Sequence, residues 1–212
     1  RRGRAVIAEV KMGSPRLGSL HGRVDPIMQA KSYAAHGAAA LSVVVEPDFF
    51  HGDWELLAAC REASGLPAIA KDFVVSPAQL NAARAAGAAA ILLVAALYTP
   101  AELARLAAAA RRRGLVPLVE THTPEEVAKL AGAEWELVGV NNRDLRTFEV
   151  DLARSLALAP ALPAGALRVA ESGIRSAAEV ARLAAGGFDA FLIGESLLLA
   201  SDPGALLAEL AG

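Results

Sequence analysis

The residues best suited to chemistry in this chain close short apolar runs. Glu9 and Lys11 end the run Ala5 to Lys11, Lys71-Asp72 ends a run from Ala68, and Glu120 ends Val116 to Glu120. Asn141 closes Leu137 to Asn141, Glu171-Ser172-Gly173 closes a run from Leu167, and Gly194-Glu195-Ser196 follows Ala190. An ammonium can protonate a carbonyl oxygen and a carboxylate can take or return a proton, so these residue types point to general acid–base work. If the two lysines converge in a partly desolvated site, they are expected to lower each other's pKa, which suits proton donation near neutral pH. The alternative is that they are ion-paired with Glu9 and Glu120 and only hold the site together. A second signature is glycine-rich: Ser172-Gly173-Ile174 leads into a helix at Ser176, and Gly194-Glu195-Ser196 into a short apolar helix, Leu197 to Ala200. Helix N-termini with glycine before them offer unpaired N–H groups to an anion such as phosphate, although such glycines also serve simple tight turns.

These residues need elements to position them. Strand-length apolar runs span Ala5–Lys11, Ala40–Val45, Ala68–Lys71, Ala89–Ala95, Val116–Glu120, Leu137–Asn141, Leu167–Glu171 and Ala190–Gly194. They are near-continuous rather than alternating, as expected for parallel strands buried on both faces. Between them, Asp25-Pro26, Ser76-Pro77, Thr99-Pro100, Thr123-Pro124 and Asp202-Pro203 each place a capping oxygen before a first-turn proline. Gly37, Gly65, Gly87, Gly114, Gly132 and Gly186 mark the helix ends as left-handed residues. Eight βα units predict one closed (βα)8 barrel over residues 1–212, an α/β fold of eight parallel strands. No G-x-G-x-x-G or P-loop pattern speaks for an open doubly wound sheet. In a barrel the site lies at the C-terminal strand ends, where the charged residues fall. Glu9 and Lys11, two apart, point to the same side of their strand.

Other candidates carry less. His21, His36, His51 and His122 show no metal-ligand spacing, so no metal is expected, and only His122, two residues beyond Glu120, falls near the strand ends. Cys60 reads as a helix core residue, and Arg111-Arg112-Arg113 as a basic helix end. The 212 residues include 21 basic and 23 acidic side chains, a net charge of −2 that argues against a nucleic-acid surface. Hydrophobic residues make up 54%, which excludes a disordered chain. The longest apolar run, Ala88 to Tyr98, is 11 residues, too short to span a membrane as a helix. One cysteine fits a reducing, cytoplasmic setting. Arg1-Arg2-Gly3-Arg4 opens the chain without an initiator Met and without a signal-peptide pattern, so residues upstream are expected.

Taken together, the strand ends resemble the indole-3-glycerol-phosphate synthase family. The matching segments are Ile7-Ala8-Glu9-Val10-Lys11 with Ser14-Pro15, Leu66-Pro67 to Lys71-Asp72-Phe73, and Leu118-Val119-Glu120. They continue with Gly139 to Leu145 (Gly-Val-Asn-Asn-Arg-Asp-Leu), Ala170 to Ile174, and Ile193-Gly194-Glu195-Ser196-Leu197. The resemblance implies closure of 1-(2-carboxyphenylamino)-1-deoxyribulose 5-phosphate to indole-3-glycerol phosphate with loss of CO2 and water, a carboxy-lyase step of tryptophan biosynthesis without cofactor or metal. It implies Lys71 as general acid and Glu120 as the acid/base carboxylate of the dehydration. Lys11 and Arg143 would hold the substrate carboxylate and position the ring. Glu9, Asn141 and Glu171 would orient the lysines and bind the amine and hydroxyls. Ser14, Phe73 and Leu92 join the substrate-binding set. Ser172, Gly173, Gly194, Glu195 and Ser196 fall where the family grips phosphate, with the Glu195 side chain expected to point outward. The implied partner is a phosphorylated small molecule, with no nucleic acid or membrane. The chain would be a monomer, or fused to or associated with other tryptophan-pathway enzymes.

Three departures stand out. The family carries helices before the first strand, whereas almost nothing precedes Ala5, so the chain is expected to lack that extension. Arg16 stands where a serine commonly follows Ser14-Pro15, and Ala70 where a longer side chain precedes Lys71. The rivals are another phosphate-binding barrel, such as phosphoribosylanthranilate isomerase, or a truncated, non-catalytic phosphate-ligand barrel. The isomerase needs a cysteine acid near the first strand, where this chain has Lys11.

Overall fold

The structure, a computed structural model, describes residues 4–15, 18–144 and 146–212. Arg1, Arg2 and Gly3, Arg16 with its expected effect on the first loop, and Leu145 of the Asn-Asn-Arg-Asp-Leu match lie outside the described residues.

Eight parallel strands close into a barrel: β1 (Ala5–Val10), β2 (Ala40–Val44), β3 (Ala68–Lys71), β4 (Ala90–Val94), β5 (Val116–Thr121), β6 (Leu137–Asn141), β7 (Leu167–Glu171) and β8 (Ala190–Ile193). Each pairs with its sequence neighbours, and β1 pairs with β8 to close the ring. The expected runs and the strands coincide to within a residue at most ends.

Strand parity makes two cores. Ile7, Ile69, Leu92, Leu118, Val169 and Leu192 fill the barrel interior, while alternate residues such as Val6, Ala8, Val119, Val138 and Phe191 pack outward against the helices. Side chains two apart share a face. The next inward position after Ile7 is therefore Glu9, after Ile69 Lys71, after Leu118 Glu120, and after Val169 Glu171. Hydrophobic layers thus stop one step short of the C-terminal rim, and the ionisable groups form the layer above.

The helices are α1 (Pro26–Ala35), α2 (Pro47–Phe50), α3 (Trp54–Ser64), α4 (Pro77–Ala85), α5 (Pro100–Arg111), α6 (Pro124–Ala128), α7 (Ala153–Leu158), α8 (Ala177–Ala185), α9 (Glu195–Leu199) and α10 (Pro203–Ala211). All five expected cap–proline pairs open helices, with the cap side chain accepting first-turn N–H groups. A sixth, Glu46-Pro47, escaped the sequence reading. The Glu46 carboxylate accepts from the N–H groups of Asp48, Phe49 and Phe50 at 2.8–3.1 Å.

Gly186 corrects an expectation. Its φ is −78°, and the left-handed residue at that helix end is Gly187 at +91°. A Cβ at Gly186 would meet the end of the Leu156 side chain, which would have to move. A two-residue antiparallel ladder between Gly13–Ser14 and Gly18–Ser19 after β1 was also not foreseen. Among the described residues no helix is long and apolar enough to cross a membrane.

Candidate active site

The layer above the interior core opens into one cavity at the C-terminal rim. Every site residue expected from the sequence lines it except Glu171: Glu9, Lys11, Ser14, Lys71, Phe73, Leu92, Glu120, Asn141, Arg143, Ser172, Gly173, Gly194, Glu195 and Ser196. Glu171 is fully buried beneath the opening.

Glu9 lies between the two lysines. Lys11 Nζ donates to its Oε1 at 2.7 Å and Lys71 Nζ to its Oε2 at 3.2 Å. Burial pushes the Glu9 carboxyl up, but the two ammonium groups outweigh it and hold its pKa at about 2. The expectation that the lysines lower each other's pKa is overturned for Lys71. Burial does pull the Lys71 ammonium down, yet Glu9, Glu171 and Glu120 together raise its pKa above the ordinary value. Carboxylates outnumber the ammonium groups around Lys71, with Glu171 Oε2 3.7 Å from its Nζ. The ion-paired alternative describes the lysines as they stand, with Glu9 the direct partner of both. Lys71 is consequently kept in the donor form that a general acid needs.

Glu120 and Glu171 are a second linked pair. Burial raises both, but His122 and Lys71 bring Glu120 below the ordinary carboxylate range, whereas burial and the charge on Glu120 drive Glu171 well above it. Two neighbouring buried carboxyls cannot both ionise cheaply, so Glu120 is the stronger acid of the pair and Glu171 the weaker.

Asn141 and Asn142 divide the work of their loop by strand parity. Asn141 faces the cavity, its Oδ1 accepting from the Arg143 N–H at 3.0 Å. Asn142 faces away and is fully used. Its Nδ2 donates to the carbonyls of Glu171 and Ser172 at 3.0 and 3.2 Å, and its Oδ1 accepts from the N–H and hydroxyl of Ser155 at 3.1 and 2.7 Å. That bracing holds Ser172 in a left-handed conformation, φ +66°. Asp72 is likewise structural, accepting from Phe73 N–H and Gln79 Nε2 at 2.8 and 2.7 Å. Phe73 stands at the rim, its ring centroid 6.5 Å from that of Phe50.

The Glu195 side chain does not point away from the mouth. Its Oε2 lies 3.2 Å from Arg143 Nη2, so the cation expected to hold a substrate carboxylate is already engaged by this carboxylate. The Ser196 hydroxyl donates to the Ile174 carbonyl at 2.6 Å and ties the last two loops together. The Ser172 N–H is directed to the Leu192 carbonyl at 3.4 Å. Gly194 opens α9 with no side-chain cap, unlike the helices that begin at Asp25, Ser76 or Thr99. The cap residue itself therefore supplies no side-chain oxygen to the first turn.

Sequence reasoning missed Glu46, Phe50 and Phe148, all of which line the cavity. Glu46 carried a signal, since Glu46-Pro47 repeats the cap–proline pattern. The phenylalanines carried none, because loop position alone does not tell a rim residue from a solvent-exposed one. Among the described residues no group of three His, Cys, Asp or Glu side chains is arranged to hold a metal.

Comparison with known proteins gives the family. The family model for indole-3-glycerol phosphate synthase matches residues 1–210. The chain belongs to that family. The indole-3-glycerol phosphate synthase of Koribacter versatilis is 46% identical over 210 residues, 99% of this chain and 81% of the relative. That of Rhodopirellula baltica is 47% identical over 197 residues, covering 93% and 76%. Among solved structures, 3-hexulose-6-phosphate synthase from Salmonella typhimurium superposes with a TM-score of 0.76 at 14% identity, covering 98% of this chain and 96% of that one. Thiamine phosphate pyrophosphorylase from Pyrococcus furiosus superposes with a TM-score of 0.70 at 12% identity, covering 99% and 94%. These two share the barrel alone. Membership in the indole-3-glycerol phosphate synthase family makes the chain an enzyme.

Proposed function

We propose that the chain acts as a carboxy-lyase, closing 1-(2-carboxyphenylamino)-1-deoxyribulose 5-phosphate to indole-3-glycerol phosphate. The observation that carries this reading is Lys71, held as an ammonium between Glu9 and Glu171 at the rim where Glu120 stands ionised. The ring carbon that bears the carboxylate attacks the ketose carbonyl carbon, and the carbonyl oxygen takes a proton from Lys71. Departure of CO2 leaves its bonding electrons in the ring and restores aromaticity. Lys71, reprotonated from solvent, gives a proton to the new hydroxyl as it leaves as water, and Glu120 accepts the proton that the neighbouring methylene carbon releases as the indole double bond forms.

Lys11 and Arg143 are assigned to the substrate carboxylate, which must compete with Glu195 for the guanidinium. Glu9 and Asn141 orient the lysines and bind the amine and hydroxyls, Glu171 stores a proton beside Glu120, and Ser14, Phe73 and Leu92 bound the ring. The loops carrying Ser172, Gly173, Gly194, Glu195 and Ser196 are assigned to the phosphate, chiefly through backbone N–H groups. The isomerase alternative is disfavoured by Cys60. It lies buried in α3 with its Sγ 3.7 Å from the Pro26 carbonyl, and burial with Asp25 nearby pushes its pKa up to about 11. Indole fluorescence growing on addition of the ribulose phosphate substrate is the test; a folded protein that forms no indole product would reject the reading.

A further inference from the structure

His122 is an ionisable group that the mechanism above leaves unused. It follows β5 directly, and its side chain is 7% exposed. Glu126, in the first turn of α6, accepts with one oxygen from the His122 backbone N–H at 2.7 Å and lies 3.1 Å from the ring Nδ1. The other ring nitrogen, Nε2, lies 3.3 Å from Glu120 Oε1, close enough for an ion pair though off the line of a hydrogen bond. The ring therefore stands between two carboxylates.

A neutral imidazole carries one N–H and one bare lone pair. Either neutral tautomer would turn that lone pair toward a carboxylate, Glu120 in one case and Glu126 in the other. Only the imidazolium offers a proton to both. Of the other charged groups around this pair, Glu171 interacts with the ring directly as well as with Glu120, Lys71 acts on Glu120, and Lys129 just after α6 is committed to the Ala95 and Tyr98 carbonyls at 2.8 Å. A capping role alone does not account for the arrangement, since the Glu126 contact with the backbone N–H is independent of the ring.

We propose that His122 is a positioning residue for the reaction assigned above: clamped by Glu126, its doubly protonated ring holds Glu120 in place and in its proton-accepting form. The proposal rests on the reading of Glu120 as the acid/base carboxylate. In keeping with it, burial pulls the His122 imidazolium down but the two carboxylates carry its pKa up to about 9 from the ordinary 6.5.

The test combines histidine 15N NMR on the full chain without substrate with steady-state kinetics from pH 6 to 10. One of the four histidine resonances is expected to titrate near 9, to vanish in His122→Asn, and to move down by a unit or more in Glu126→Gln. The glutamine oxygen still accepts the backbone N–H, so α6 keeps its start. kcat in the wild type should fall above the same midpoint, Glu126→Gln should move that alkaline limb down with it, and His122→Asn should lower kcat about tenfold with little change in KM. A midpoint at or below 6.5, or pH–kcat profiles of Glu126→Gln and wild type that superimpose, would overturn the proposal. A wild type that makes no indole product while the histidine still titrates near 9 would instead overturn the functional reading, leaving the Glu126–His122–Glu120 clamp as structure only.

Discussion

A Cβ placed on Gly139 would overlap Oε1 of Glu171, so the carboxylate of β7 is seated in space that a side chain on β6 would fill. The same device recurs at β8, where a Cβ on Gly194 would overlap Oε1 of Glu9. Gly139 occupies an inward position on β6, opposite Glu120 in register, and Gly194 follows β8 directly. The two carboxylates that flank Lys71 therefore owe their places to missing side chains on or just after neighbouring strands.

From this follows the first prediction. Gly139→Ala should displace the Glu171 carboxyl and lower stability by about 1–3 kcal/mol, the usual loss when a filled interior is overpacked. The double variant Gly139→Ala/Glu171→Ala should recover most of that loss in chemical denaturation, because the new methyl then meets vacated space. Additive losses in the double variant would show that the two positions do not share this space.

Glu9 sets the acid stability of the site. Its carboxyl is held at about 2 against an ordinary 4.5, so it binds protons more weakly folded than unfolded. Its contribution is present in full above pH 4.5 and is lost as pH falls toward 2. Glu9→Gln removes it and leaves two ammonium groups without their shared counter-ion, a loss of about 1–3 kcal/mol at pH 7. Melting temperatures recorded from pH 7 to 3 should therefore converge for variant and wild type on the acid side. Parallel curves would mean that Glu9 does not titrate as described.

The rim chemistry was legible because strand parity is local: Ile69 inward puts Lys71 inward without knowledge of any other strand. The fold was legible for the same reason, since the cap–proline start recurs in six of the eight βα units. What the chain did not disclose depends on distances across strands. The lysines were expected to depress each other, and Glu9 standing between them reverses the outcome for Lys71. The Glu195 side chain was expected outward, and Arg143 from a different loop draws it in. Gly173 was expected among the residues that grip phosphate, yet a Cβ placed there would strike the Val150 side chain. That contact lies between two loops far apart in sequence, and it makes Gly173→Val a test of packing rather than of phosphate binding.

Lys71→Ala should lower kcat by about 10²–10⁴-fold, the usual worth of a positioned proton donor. The fold should persist, because Glu9 keeps its 2.7 Å contact with Lys11. Far-ultraviolet circular dichroism alongside the indole assay separates the two effects. Near-normal turnover in the folded variant would remove Lys71 from the role of acid.

Glu120→Gln keeps the shape of the side chain but can neither accept nor return a proton. A fall in kcat of about 10²–10⁴-fold with a small change in KM is expected. A variant that mainly raises KM would make Glu120 a binding residue. The glutamine also withdraws one of the two carboxylates that hold His122 charged, so the histidine titration should move down in the same variant.

The phosphate assignment is best tested on the ligand rather than on the glycines, whose substitution would disturb Glu9 or Val150 before any anion. Gly194 gives the start of α9 no side-chain cap, and a dianion is favoured at a helix N-terminus. Two hydrogen bonds to a charged group, at about 1.5 kcal/mol each or more, amount to at least a hundredfold in affinity. The dephosphorylated substrate should therefore bind about a hundredfold more weakly or worse. The difference should persist in Lys71→Ala, because Lys71 belongs to the opposite part of the reaction. Inorganic phosphate should compete with the phosphorylated substrate and leave the residual binding of the dephosphorylated one largely untouched. Equal affinities for the two substrates would take the phosphate away from the loops of β7 and β8.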